Sequence, residues 1–181
     1  MLFGDERMTR NHSAIVIAPA TTRNAYSILV LTRAYFPYVQ LGYDELQGRL
    51  HKQAKGQKGG EHYYYVARKV GHTIGYAHLA FDPRKRSARL LGLGVLDTHR
   101  RKGIGRRLLQ ACLRKARAKG AHTLNLLVSE DNTASRALYQ AHHFQLKGKL
   151  AKPFGGKRIL VYRKVLTHKP AKKALKPARA T

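Results

Sequence analysis

Apolar and polar positions repeat along this chain with two different periods, and the switches between them predict its secondary structure. The predicted strands are residues 13–19, 62–70, 72–81, 87–96, 122–129, 144–150 and 158–166. The predicted helices are residues 21–36, 43–53, 104–120 and 132–143. The order β-α-α-β-β-β-α-β-α-β-β contains no internal repeat. It predicts one mixed-sheet α/β domain, in which an antiparallel meander leads into a β-α-β crossover.

The third strand of this meander, residues 87–96, is almost continuously apolar at its end. Such a run is typical of a strand that is covered on both faces. The strand 122–129 has the same character and also predicts a buried position in the sheet.

The two ends of the chain lack these periods. Residues 1–12 are polar and contain acids, which predicts a flexible leader and not a signal peptide. Residues 167–181, THKPAKKALKPARAT, are rich in Lys, Ala and Pro, which predicts a basic disordered tail. The folded domain is therefore expected between residues 13 and 166.

The chain is far more basic than an average protein. It has 36 Lys and Arg against 9 Asp and Glu, a formal net charge of +27, and its last acid is Asp131. Such a field attracts polyanions, so nucleic acid or the ribosome is a possible partner. The same field disfavours polyamine and aminoglycoside substrates.

Cysteine and histidine give no sign of a metal site or a disulfide framework. The single Cys112 lies in a predicted helix, which predicts a buried, inert thiol. There is no CxxC pair and no HExxH spacing, so no metal is expected. No apolar run reaches the roughly 18 residues of a membrane span, and a cytoplasmic protein is expected.

The stretch VLDTHRRKGIGRRLLQ, residues 95–110, joins a strand to a helix and carries Gly103 and Gly105 among basic residues. The first amides of a helix have no internal partner and favour an anion. Glycine lets a phosphate approach those amides. The stretch is not a P-loop, and Leu108 replaces the third glycine of the dinucleotide fingerprint. It therefore predicts a diphosphate cradle, with a glycine turn on a basic surface as the alternative.

Two motifs in register resemble the GNAT acetyltransferase superfamily. The acyl-CoA motif [Q/R]xxGx[G/A] is filled by Arg100, Gly103 and Gly105. Downstream, LLVSEDNTASRALYQAHHF resembles the second family signature, a strand followed by N…(A/S)…LYxxxGF. Its matching residues are Asn132, Ser135, Leu138, Tyr139 and Phe144. The strand HTIGYAHL also resembles the family pattern, with Gly75 in place, so the likeness extends over residues 13–166.

This resemblance implies acetyl-CoA as co-substrate and a sheet whose central strands splay apart. The cofactor diphosphate is then expected beside Arg100, on the amides from Arg101 through Lys102, Gly103, Ile104 and Gly105 to Arg106. The pantetheine arm is expected along Leu93, Gly94 and Val95, with the Val95 amide polarising the thioester carbonyl. Asn132 is expected to contact the cofactor, and Tyr139 to protonate the leaving thiolate.

The chain departs from the family in two places. Ribosomal-protein acetyltransferases of the family carry a general-base Glu in the strand before Asn132, where this chain has Leu127. The other candidate bases are Glu130, Asp97, His99, Asp44 and Glu45. A water chain or an amine that is already neutral would also serve. The family's usual glycine after the second motif is His143 here, which leaves the form of that turn open.

The predicted activity is transfer of an acetyl group to a primary amine, with a protein or peptide amino group favoured. The aromatic stretch RAYFPYVQLGYDEL resembles the segment with which protein N-terminal acetyltransferases hold their acceptor, although such a stretch also serves as packing. A small-molecule amine is one alternative acceptor. The other alternative is a non-catalytic protein of the same fold that binds nucleic acid or the ribosome.

Overall fold

A computed structural model describes residues 14–56 and 61–166 of the chain, so the predicted leader and tail lie outside the described residues. The strands are β1 (Val16–Pro19), β2 (His62–Lys69), β3 (His72–Asp82), β4 (Ser87–Val95), β5 (Thr123–Ser129), β6 (Gln145–Lys149) and β7 (Ile159–Val165). The helices are α1 (Ala25–Tyr35), α2 (Tyr43–Lys55), α3 (Ile104–Ala118) and α4 (Thr133–Ala141). The predicted order and type of the elements are confirmed.

All the strands form one seven-stranded sheet in the order β1-β2-β3-β4-β5-β7-β6. The meander from β1 to β4 is antiparallel, and so is the ladder from β5 through β7 to β6. The two halves meet where β4 pairs in parallel with β5, since α3 carries the chain over one face of the sheet between them. The predicted mixed sheet with its crossover is therefore confirmed.

Two apolar clusters cover the two faces of this sheet. One cluster contains α3 and the inward side of α4, including Leu108, Cys112 and Tyr139. The other cluster packs α1 and α2 through residues such as Ile28 and Leu50. Cys112 is fully buried, and burial raises the pKa of its thiol to about 12. The prediction of an inert, buried thiol is thus confirmed.

In residues 14–56 and 61–166, no helix combines the length and the apolar character that a membrane crossing requires. Within the same ranges, His, Cys, Asp and Glu side chains form no group of three or more that could hold a metal ion.

A pair of partly buried histidines lies on the neighbouring strands β2 and β3. The Nδ1 atom of His62 lies 2.8 Å from the Nε2 atom of His78, and the Tyr64 ring stacks on His78 with a centroid distance of 4.1 Å. Burial lowers the pKa of His62 and lowers that of His78 well below its ordinary value, and the Arg49 charge lowers both further. Both rings are therefore neutral in the folded protein near pH 7.

This pair predicts a loss of stability in mild acid. A histidine whose folded-state pKa is depressed contributes stability above its unfolded pKa of about 6.5, and that stability is lost as the pH falls below this value. We expect the free energy of unfolding, measured by chemical denaturation from pH 8 to pH 5, to fall in the wild type. The fall should be shallower in the His62→Gln/His78→Gln variant, and His72→Gln, at an exposed histidine of β3, is the control. Parallel pH profiles for the double variant and the wild type would contradict this.

Candidate active site

The sheet opens between β4 and β5. Their parallel register runs only from Ser87 opposite Thr123 to Leu90 opposite Leu126, and both strands continue beyond it. A β-bulge in the β3–β4 ladder redirects β4 at the same point. Leu91 at this bulge is 41% exposed, so the expectation that the strand is covered on both faces is wrong at this position, although Gly94 and Val95 beyond it are buried.

Backbone groups of β4 point into this opening. The Leu96 amide donates to the Ile74 carbonyl at 2.9 Å, and Val95 lies opposite Gly75 in the same ladder. Because an antiparallel ladder alternates, Val95 and Leu93 direct their main-chain groups away from β3, towards the opening. The Val95 carbonyl there accepts a hydrogen bond from Arg100 Nε at 3.3 Å, which leaves the Val95 amide available to a ligand.

Gly94 differs from its two neighbours. By the same alternation, its main-chain groups face Tyr76 on β3. A Cβ atom at Gly94 would lie 2.8 Å from the Tyr35 ring. The packing of the Tyr35 ring therefore requires a glycine at position 94. Of the three residues expected to pair with pantetheine, only Leu93 and Val95 have main-chain groups that face the opening.

The connection from β4 to α3 places free amides beside the opening. Arg101 has a φ of 62° and Gly103, the N-cap of α3, has a φ of 73°. The first hydrogen bond of the helix runs from the Arg107 amide to the Gly103 carbonyl at 3.1 Å. The amides of Ile104, Gly105 and Arg106 therefore precede the hydrogen-bonded part of the helix and point outward, as an anion site requires.

Two glycines of this turn are glycine for different reasons. The left-handed φ of Gly103 favours glycine by itself. Gly105 is helical, and a Cβ atom there would make ordinary contacts of 3.6 Å with the side chains of Leu138 and Leu93. The fold does not require a glycine at position 105, whereas a phosphate resting on the first turn would. The residues present therefore fit a diphosphate.

Of the four basic residues predicted to surround the diphosphate, two contact other protein groups and two make no ion pair within the described residues. Arg100 is engaged by the protein, because it pairs with Asp97 at 2.7 Å and lies over the Tyr35 ring at 5.4 Å. Lys102 donates to the Thr98 carbonyl at 3.2 Å. Arg101 and Arg106 are exposed and make no ion pair within the described residues. Their charges are available to an anion on the α3 amides.

Asn132 and Tyr139 belong to α4, which borders the opening through Leu138. Asn132 is the N-cap of α4, and its Oδ1 accepts from the Ser135 amide at 3.1 Å. Only its Nδ2 atom is then available to the expected cofactor contact.

Tyr139 is almost entirely buried, with 6% of its surface exposed. Its ring lies 5.8 Å from Phe144 and 6.5 Å from Tyr162, whereas its hydroxyl has no hydrogen-bond partner among the described residues. Burial raises the pKa of Tyr139, with a smaller contribution from Cys112. The phenol therefore keeps its proton at any physiological pH, which is the state in which it can act as an acid.

Most of the candidate bases are engaged by other protein groups. Leu127, at the position where the resemblance implies a general-base glutamate, is 57% exposed. Asp97 accepts from the Tyr35 hydroxyl at 2.9 Å in addition to pairing with Arg100. Glu130 pairs with Arg158 at 3.3 Å, and Glu45 pairs with Arg49. Asp44 lies in the first turn of α2. The Nδ1 atom of His99 lies 2.9 Å from Thr98 Oγ1. Of these candidates, Asp44 alone makes no ion pair or hydrogen bond among the described residues, and the other carboxylates are engaged.

An aromatic contact spans the two halves of the sheet. The rings of Tyr38, between α1 and α2, and Phe154, between β6 and β7, pack edge to face with centroids 4.7 Å apart. Phe36 continues this row, 6.2 Å from Tyr38 and 6.5 Å from Tyr76. The aromatic stretch was visible in the sequence, but its partner Phe154, alone in a glycine-containing loop, gave no signal.

Residues 26–144 match the model described as "Acetyltransferase (GNAT) family". The chain is 37% identical over 71 residues to the mycothiol acetyltransferase of Jonesia denitrificans, which covers 39% of this chain and 23% of that protein. Across the curated relatives that it matches, the chain spans 23% to 39% of their length.

Two solved structures share the fold. The Salmonella typhimurium protein yncA, solved with its cofactor acetyl-CoA, superposes with a TM-score of 0.72 at 20% identity, over 90% of this chain and 99% of that one. A ribosomal-protein-alanine N-acetyltransferase from Brucella melitensis gives a TM-score of 0.68 at 24% identity, over 83% of this chain and 99% of that one.

Proposed function

The chain belongs to the GNAT acetyltransferase family, and from that premise we propose that it transfers an acetyl group from acetyl-CoA to the amine of a protein or peptide. The observation that carries the proposal is the opening between β4 and β5, with the amides of Val95 and of the first turn of α3 directed to it. A thioester arm that pairs with an open strand edge and a diphosphate on a helix N-terminus need these two features together.

Each group then has one task. The amides of Ile104, Gly105 and Arg106 bind the diphosphate, and Arg101 and Arg106 add positive charge to it. Leu93 and Val95 pair with the pantetheine arm, and the Val95 amide donates a hydrogen bond to the thioester carbonyl oxygen. Asn132 Nδ2 donates to the cofactor.

Proton transfer balances the reaction. The amine nitrogen forms a bond to the carbonyl carbon, and the bond from that carbon to sulfur breaks. Tyr139 donates its proton to the departing sulfur, and the phenolate regains a proton from the amine nitrogen, directly or through water. Burial keeps Tyr139 protonated but makes it a weaker acid, so transfer to a thiolate of pKa about 8.5 requires that the hydroxyl be held close to the departing sulfur.

Every candidate carboxylate except Asp44 is held in an ion pair, which favours an α-amino group as the acceptor. Without a strong general base, the rate depends on the fraction of amine that is already neutral. At pH 7.5 an α-amino group of pKa about 7.7–8.0 is roughly one third neutral, whereas a lysine side chain of pKa about 10.4 is neutral in about one molecule in a thousand. A peptide amino terminus is therefore the acceptor that this site can use most readily.

The aromatic row supports a peptide acceptor. Tyr38 and Phe154 belong to loops on opposite sides of the opening and remain about half exposed. Rings in that position offer an apolar surface to the first side chains of a peptide while the opening admits its amino group. A small-molecule amine is the second candidate, and the name of the Jonesia denitrificans relative favours it.

The test measures thiol release from acetyl-CoA with a panel of peptides and small amines, alongside the same peptides with a blocked α-amino group. We expect release with free amino termini, and a rate that rises with pH as the α-amino group loses its proton. The variants Tyr38→Ala and Phe154→Ala should raise the KM for the peptide severalfold and leave the KM for acetyl-CoA unchanged. The control Tyr26→Ala removes a ring of α1 that is 72% exposed and should change neither.

Release that requires only a small amine, or that persists with blocked peptides, would contradict the peptide proposal. No binding of acetyl-CoA by calorimetry would contradict the transferase proposal as a whole.

A further inference from the structure

The outer side of α3 carries a row of arginines. Arg107, Arg114 and Arg117 are exposed on this side, and their neighbours there are Arg106, Gln110 and Ala118. At about 1.5 Å of rise per residue, the row from Arg107 to Arg117 extends over about 15 Å. Lys164 of β7 is near enough for the positive charge of Arg117 to lower its pKa. We call Arg107, Arg114, Arg117 and Lys164 the basic ridge.

The charges of the basic ridge are not neutralised by the protein. Acids of the described residues pair with Arg49, Arg100, Lys119, Lys157 and Arg158, and none pairs with a ridge residue. Helix α3 itself contains no acid. Burial and the nearby Arg117 charge both lower the pKa of Lys164, as expected where like charges are held together. A bound polyanion would relieve this repulsion.

The chemistry of the ridge distinguishes between polyanions. Protein interfaces are built around apolar and aromatic anchors, and the exposed side of α3 presents none. Single-stranded nucleic acid is bound through aromatic side chains that stack on its bases, and the ridge offers none of these either. A rigid row of guanidinium groups is instead suited to phosphates at fixed positions.

From these observations we propose that the basic ridge docks on the phosphate backbone of duplex DNA. The site is separate from the cofactor cradle, because Arg106 and the free α3 amides are not part of it. Contacts of this kind fix position without reading sequence.

The end of the described chain supports the same partner. The described residues end at Leu166, two positions after Lys164, and the sequence continues with Lys169, Lys172, Lys173, Lys176 and Arg179 and no acid. Further positive charge is therefore attached to the chain directly beside the ridge. This additional positive charge would strengthen the attraction between the chain and a duplex bound at the basic ridge.

The experiment measures binding of the full chain to a fluorescent 20-base-pair DNA duplex by anisotropy over a series of salt concentrations. The Arg114→Gln/Arg117→Gln/Lys164→Gln variant should bind about tenfold or more weakly at physiological salt, and its salt slope should decrease by about two to three. The control Arg23→Gln/Arg33→Gln/Lys52→Gln changes the net charge equally, at exposed positions of the opposite face, and should bind nearly as the wild type does. Acetyl-CoA binding by calorimetry should be unchanged in both variants.

Three results would overturn the proposal. The first is equal binding by the ridge variant and the control variant. The second is loss of binding only on deletion of residues 167–181, with no effect of the ridge substitutions. The third is equal affinity for the duplex, for polyglutamate of matched charge and for phosphatidylglycerol vesicles, since that would show attraction to any polyanion.

Discussion

We expect the replacement of Gly105 with glutamate to abolish measurable acetyl-CoA binding and to leave the fold at least as stable as the wild type. A side chain at this position covers the first-turn amides, and its carboxylate repels the diphosphate. Hydrogen bonds to charged groups contribute about 1.5–3 kcal/mol each, so losing even two of them lowers affinity by at least ~100-fold.

The stability of this variant is expected to change in the opposite direction. The added Cβ makes only ordinary 3.6 Å contacts. Replacing a helical glycine removes about 0.5–1 kcal/mol of unfavourable backbone entropy, and an acid in the first turn interacts well with the helix dipole. Calorimetry with acetyl-CoA and a thermal melt of the same sample measure the two effects.

The matched control is Gly48→Glu. Gly48 is a helical glycine of α2 with open space around its Cβ position. We expect the Gly48→Glu variant to have a more stable helix α2 and to keep full affinity for acetyl-CoA. Retained acetyl-CoA binding by the Gly105→Glu variant would exclude the diphosphate cradle. A variant at Gly103 would be harder to interpret, because the left-handed φ of Gly103 adds strain to any side chain there.

We expect the replacement of Tyr139 with phenylalanine to lower kcat by about 100-fold or more, in the range for loss of a general acid. The ring contacts with Phe144 and Tyr162 are kept, and the hydroxyl that is lost has no partner among the described residues. The melting temperature and the affinity for acetyl-CoA should therefore stay close to those of the wild type.

The pH profile gives an independent readout for Tyr139. Because burial raises the pKa of Tyr139, its protonated form persists to strongly alkaline pH. Any fall in kcat between pH 8 and pH 10 then belongs to another group. An unchanged kcat in Tyr139→Phe would show that the tyrosine only packs against the core, and a large loss of melting temperature would also assign it to packing.

The left-handed turn after α4 has a form that the sequence analysis left open. The family's usual glycine is His143 here, and His143 nevertheless adopts a φ of 59°. The Phe144 amide bonds the Tyr139 carbonyl at 3.0 Å, and Phe144 is buried in the core beside Tyr139. The turn keeps its form because the packing of Phe144 outweighs the cost of roughly 1 kcal/mol or more for a non-glycine residue in this conformation.

The sequence by itself determined the element order, the crossover at α3, the glycine turn that begins it and the buried thiol of Cys112. Periodicity and glycine placement are local properties, so they can be read before the chain is folded. The motif residues around Gly103 and Gly105 were local in the same sense.

Only the tertiary structure decided which groups face the opening. The alternation of the β3–β4 ladder assigned Leu93 and Val95 to the opening and Gly94 to Tyr35, and ion pairing removed Arg100 from the free charges. The Tyr38–Phe154 contact joins residues 116 positions apart, and the ridge joins α3 to β7. Such pairings depend on register and on distant segments, which no local pattern of residues contains.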